Sequence, residues 1–142
     1  MNTRMRGWNA GDGTLLLSAR SLATKTFRQA DIPAVRSFAT IFAARAGMGT
    51  AQLADFVLAV SEAAACATGQ GPCTARLRLW ITGSRALCEI HGDGVLFGPG
   101  PRDAGHGDAE MLRRRLLKQV CDNVSVDSGN WGVTVRFSMA VA

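Results

Sequence analysis

The chain has 142 residues and a formal net charge of +5, with 47% apolar and 19% charged residues. That length fits one domain with a single core, and that composition excludes a disordered chain. Aromatics make up only 6% and Tyr is absent, so alanines and short aliphatics must fill the interior.

Residues 1–12 read as a loose arm with Trp8 as an apolar anchor, and 13–142 as one domain. Leu15 to Ala19 read as a first strand, apolar on both faces. Asp31 suits a helix N-cap, with Pro33 in the first turn. Val35, Phe38, Ile41, Phe42 and Arg45 follow at helical spacing until Gly47 and Gly49 break the pattern. Thr50 suits the cap of a second helix, with Leu53, Phe56, Val57, Val60 and Ala64 as its apolar stripe. That helix runs to the turn Thr68-Gly69-Gln70-Gly71-Pro72.

Leu77, Leu79 and Ile81 alternate with Arg76, Arg78 and Trp80, the pattern of a strand with one face on the core. After Gly83-Ser84, Ala86, Cys88 and Ile90 alternate with Leu87 and Glu89 in an antiparallel partner. Residues 91–107 are dense in glycine and proline and read as a long loop or lid. Asp108 suits the cap of a third helix with Met111, Leu112, Leu116, Leu117 and Val120 inward. Asn123–Asp127 and Gly132–Met139 read as a closing hairpin. The order implies helices on one face of a mixed, largely antiparallel sheet, an α+β two-layer sandwich.

Arg113, Arg114, Arg115 and Lys118 form the one basic cluster; with no accompanying finger, homeodomain or zipper pattern, it reads as a solvated helix face rather than a nucleic-acid surface. The four cysteines, Cys66, Cys73, Cys88 and Cys121, form no C-x-x-C pair and suit a reducing compartment. His91 and His106, with Asp93 and Asp108, lack the spacing of a metal site. No run reaches the roughly 18 apolar residues of a membrane span, and no export segment follows the basic start. The expectation is a cytoplasmic chain with no membrane partner.

The segments VRSFATIFAARAG, LAVSEAAACA (Leu58 to Ala67), ALCEIHGDG (Ala86 to Gly94), LLKQVCDNVSV (Leu116 to Val126) and GNWGVTVRFSM (Gly129 to Met139) stand in a telling order. In that order the chain resembles the anti-sigma-factor serine kinases of the histidine-kinase-like (GHKL) ATPases, in their actinobacterial form. The resemblance spans about residues 13–141. It implies a helix layer on a sheet, ATP with Mg²⁺ as cofactors, and a sigma factor or a small antagonist as partner.

The resemblance also implies three nucleotide boxes, and each departs from the pattern here. In the first, Glu62 matches the catalytic Glu, and Cys66 stands one turn on where an Asn would hold Mg²⁺. A thiol is a poor ligand for a hard ion. In the second, Gly92 stands where an Asp would accept the adenine amino group. Asp93 lies beside it, Gly94 falls on the first glycine and Leu96 on the second. In the third, the phosphate glycines fall on Met111 and Arg113, while Gly105 and Gly107 lie upstream with amides for a helix-start anion site.

Two readings follow. One is a regulatory protein-binding domain resembling an anti-sigma factor, with weak or lost ATP binding and no cofactor. It would dock a sigma factor or antagonist, with the first helix and strand as docking or homodimer surfaces. The other is an active ATP-dependent serine/threonine kinase with Glu62 as base, Asp93 on adenine, and ATP and Mg²⁺ as cofactors.

Overall fold

A computed structural model describes residues 21–69, 73–93, 104–129 and 132–141, with backbone alone for Ser21 and for 104–110. The expected strand at Leu15–Ala19 and the arm at 1–12 lie outside these residues. The first described strand, β1 (Ser21–Arg28), is one that the polar-apolar mixture SLATKTFR did not announce. Helices α1 (Ile32–Arg45) and α2 (Thr50–Thr68) follow, then strands β2 (Thr74–Thr82) and β3 (Arg85–Gly92). Helix α3 (Ala104–Val120) leads into β4 (Asp122–Gly129) and β5 (Gly132–Ala140).

The sheet runs β1-β2-β3-β5-β4, and every described pairing is antiparallel, so the expected mixed sheet is corrected on this point. The helices form one layer, with α2 central between α1 and α3 and against β5, β3 and β2. The two-layer α+β sandwich stands.

Strand alternation decides what faces that layer. Ala75, Leu77, Leu79 and Ile81 of β2, Ala86, Cys88 and Ile90 of β3, and Val133, Val135, Phe137 and Met139 of β5 are all buried. Helix α2 adds Phe56, Ala59, Val60, Ala63 and Ala64. Three phenylalanines tie the layers together. Phe42 of α1 stacks on Phe56 at 5.9 Å between ring centroids, and Phe56 meets Phe137 of β5 edge-on at 6.0 Å. The many alanines let α2 lie close to its neighbours. By length and hydropathy α2 is the one described helix that could cross a membrane. Its apolar residues serve the core instead.

The helix ends show where local chemistry differs from expectation. Asp31 occupies the N-cap position of α1, but its carboxylate accepts the Arg28 amide at 3.0 Å and stabilises the short 3-10 turn before the helix. Gly47, at φ +85°, ends α1 in a Schellman turn. Its amide reaches Ala44 O and the amide of buried Met48 reaches Ala43 O, both at 3.1 Å. Gly49, not Thr50, is the N-cap of α2. The expected loop at 91–107 is shorter than the glycines suggest. Residues 91 and 92 belong to β3, and α3 starts at Ala104, which puts Asp108 inside the helix rather than at its cap. Residues 94–103 lie outside the described set.

Three apolar positions face outward against expectation. Ile41 is 55% exposed, Met111 55% and Leu112 62%. Among the described side chains of α3 the buried one is Leu117. Starting the helix five residues earlier does not alter its phase; the inward stripe is narrower than the run of apolar residues.

All four cysteines are buried. Burial pushes the Cys88 thiol well above its ordinary value, aided by Cys121 and Glu89. Burial also pushes Cys121 up to about 12, aided by Asp122 and Asp55. A raised folded value means stability that is full below the unfolded thiol value of 9.0 and is lost as pH climbs towards 12. The chain has no Tyr, and Lys25 and Lys118 are its only lysines. Stability to urea should therefore fall above pH 9 by about 1.4 kcal/mol per pH unit for each such thiol. The paired variant Cys88→Ala/Cys121→Ala should flatten that slope; an equally steep slope would show that other groups cause it.

Candidate functional site

The residues singled out by the three boxes fall around the C-terminal half of α2, the end of β3 and the first half of α3. Helix periodicity puts Glu62 and Cys66 one turn apart on α2. They have different surroundings. Glu62 is half-buried and faces α3, where Arg113 Nε lies 3.6 Å from its Oε1. Cys66 is fully buried within the core. A Cys there meets the apolar demand of the helix underside, and it is not presented to a solvent-filled cleft.

Gly92 closes β3 against α2. A Cβ at this position would overlap the carbonyl oxygen of Ala67 and lie 2.8 Å from its carbonyl carbon, with Cys73 Sγ at 3.4 Å. Gly132, beside it on β5 at φ +118°, has the Gly92 carbonyl in the same relation. Two backbones and a helix therefore meet here without room for side chains. A carboxylate at position 92 has nowhere to begin.

Asp93 does not substitute for it. Its Oδ1 accepts the Thr74 amide at 2.9 Å, and its own amide donates to Thr74 O at 3.0 Å. The residue thus staples the β2–β3 end, and its side chain lines a hollow on the sheet face away from the helices. Gly94, with Leu96, lies outside the described residues. Gly105 and Gly107 fall in the first turn of α3. Amides at such a start lack intrahelical acceptors, which keeps the helix-start anion geometry available to them.

The structure brings Glu62 and Arg113 together, and sets Gly92 against the turn of α2 that follows Cys66. It separates Asp93 from both. Arg113 pairs the Glu62 carboxylate with a cation from α3. The fully buried thiol at 66 offers no oxygen donor to Mg²⁺. Neither Gly92 nor Cys66 supplies the side-chain oxygen that the resemblance implies at its position. Among the described residues, no group of three or more His, Cys, Asp or Glu gathers as a metal site.

Sequence reasoning missed a second constellation, on the helix-free face of the sheet. Glu89 sits between Arg78 at 3.7 Å and Arg136 at 3.0 Å, and Arg136 reaches Asp127 at 3.4 Å. These residues join β2, β3, β5 and β4 in a ladder, mostly across one register row. Outward alternation of Arg76, Arg78, Glu89 and Arg136 was the signal for it. Glu89 is the shared partner, with a side chain only 12% exposed. Truncating it leaves two guanidiniums facing each other. Glu89→Ala should cost about 1–3 kcal/mol in urea unfolding; a change below about 0.5 kcal/mol would mean that solvent already screens the ladder.

Comparison with known proteins returned no matching family model and no matching curated protein.

Proposed function

We propose that this chain is a regulatory protein-binding domain resembling an anti-sigma factor, with nucleotide binding weak or lost. Its partner is a sigma factor or the small antagonist of one, met in the cytoplasm. The observation that supports this best is the closure of position 92 by the Ala67 carbonyl. Purine recognition in the ancestral scheme rests on a carboxylate there, and a site without its polar partner discriminates strongly against the ligand. Cys66 in the core and Arg113 on Glu62 point the same way.

Loss of chemistry leaves a protein interface intact, because docking needs shape and anchors rather than Mg²⁺. The helix layer offers such anchors in exposed Ile41, Leu58, Met111 and Leu112. The net charge of +5 favours an acidic partner surface. Capture of the sigma factor would act by covering the surface it presents to RNA polymerase.

The test is binding of the purified chain to sigma factors and antagonists from the same cell, with ATP and Mg²⁺ present, omitted or chelated. The expected result is one affinity in all three conditions and no phosphate transferred to an antagonist. Complex formation that requires ATP and Mg²⁺, or antagonist phosphorylation, would establish the kinase reading instead.

A further inference from the structure

The helix-free face of the sheet carries a hollow of about 410 Å³ where β2 begins and β3 ends. Its walls come from three adjacent strands. Thr26 of β1, Arg76 of β2 and His91 of β3 occupy one cross-strand row, and Thr74, Glu89 and Asp93 flank it. This volume lies within the range of small-molecule sites.

The charges around the hollow are unevenly satisfied. The Glu89 carboxylate is held between Arg78 and Arg136. The Asp93 carboxylate accepts the Thr74 amide. Arg76 is exposed, its row neighbours Thr26 and His91 are not acids, and it makes no ion pair with a described carboxylate. His91 Nδ1 lies 2.8 Å from the Thr134 hydroxyl. When that nitrogen accepts, Nε2 carries the ring proton and is a donor. One forked cation, one imidazole donor and the Thr26 and Thr74 hydroxyls therefore surround a cavity whose acids are already engaged.

We propose that this hollow is a binding site for a small oxyanion, a phosphate or carboxylate group, gripped by Arg76 with His91 and Thr26 beside it. A guanidinium presents two parallel N–H donors that match either group. The site shares only Asp93 with the three boxes and does not depend on the reading of them. Asp93 at the rim opposes the ligand's charge and sets a modest affinity.

The test follows backbone amide resonances of Thr26, Arg76 and His91 in the full chain as inorganic phosphate or acetate is added at constant ionic strength. The expected result is a saturable shift with at least one of these anions; which one identifies the group recognised. Arg76→Gln, an exposed change that spares the core, should weaken it about tenfold or more. Asp93→Asn keeps an acceptor for the Thr74 amide and should tighten it. The proposal is overturned by no saturable shift with either anion, by equal shifts with chloride, by an undiminished response in Arg76→Gln, or by weaker binding in Asp93→Asn.

Discussion

Gly92→Asp, which places an acidic residue where the resemblance implies one, is expected to unfold the chain rather than create a nucleotide site. The first atom of the new side chain would overlap the Ala67 carbonyl oxygen, which is fixed backbone in the central helix and cannot rotate away. The carboxylate would then be forced among Ala67, Cys73 and the end of β5 without a partner. Steric overlap and a buried charge act together, so the loss should exceed about 4–5 kcal/mol. Against a total stability of about 5–15 kcal/mol for a domain, that is enough to remove most folded protein. Gly92→Ala separates the two causes. It carries the overlap without the charge and should cost roughly 3 kcal/mol or more. Circular dichroism with urea titration reads both. A Gly92→Asp protein that folds with an unchanged urea midpoint would mean that α2 does not lie where we describe it.

Phe56→Ala should be the most damaging truncation of the core, at about 3–5 kcal/mol. Phe56 is fully buried, stacks on Phe42 and meets Phe137 edge-on, so one ring connects α1, α2 and β5. Removing it leaves a cavity at the junction of the layers, and the rings on either side lose their mutual support. The neighbouring core residues are largely alanines and short aliphatics, with little reach to refill the space. Phe56→Leu retains most of the volume and should recover more than half of the loss. Urea unfolding decides this as well. A cost for Phe56→Ala below about 2 kcal/mol would show that the helix layer can shift inward to close the gap.

Much of the fold was legible because its elements follow strong periodicities. Leu77, Leu79 and Ile81, and Val133, Val135 and Phe137, alternate so regularly that the strands and their inward faces could be read directly. The stripe through Phe56 and Val60 did the same for α2. The failures have physical causes. In β1, Lys25 faces the helix layer with its ammonium 6.0 Å from the centre of the Phe38 ring, so a charged residue stands where alternation predicts an apolar one. The start of α3 was hidden because Gly105 and Gly107 have poor helix propensity, which the rest of the helix overrides. Met111 and Leu112 read as core residues, yet both are exposed while Leu117 is buried.

The candidate site was legible only as a list of residues. Glu62 and Cys66 could be placed on one helical face from spacing alone. That Arg113 would reach Glu62 depends on how α3 crosses α2, which no local pattern encodes. That Gly92 is required by a close approach of backbone, rather than by a loop, emerges only when β3, β5 and α2 are seen together. Asp93 belonging to a strand staple on the other face has the same origin, since neighbouring residues in a strand point to opposite sides.

The proposed loss of nucleotide binding rests on closure, at Gly92 and Cys66, of the purine and magnesium positions that the resemblance implies. Titrating the purified chain with a fluorescent ATP analogue, with and without Mg²⁺, addresses it most directly. The expected signal is weak and unsaturated up to millimolar analogue, unaffected by Mg²⁺ and the same in Glu62→Ala. Tight, saturable, magnesium-dependent binding that disappears in Glu62→Ala would contradict it.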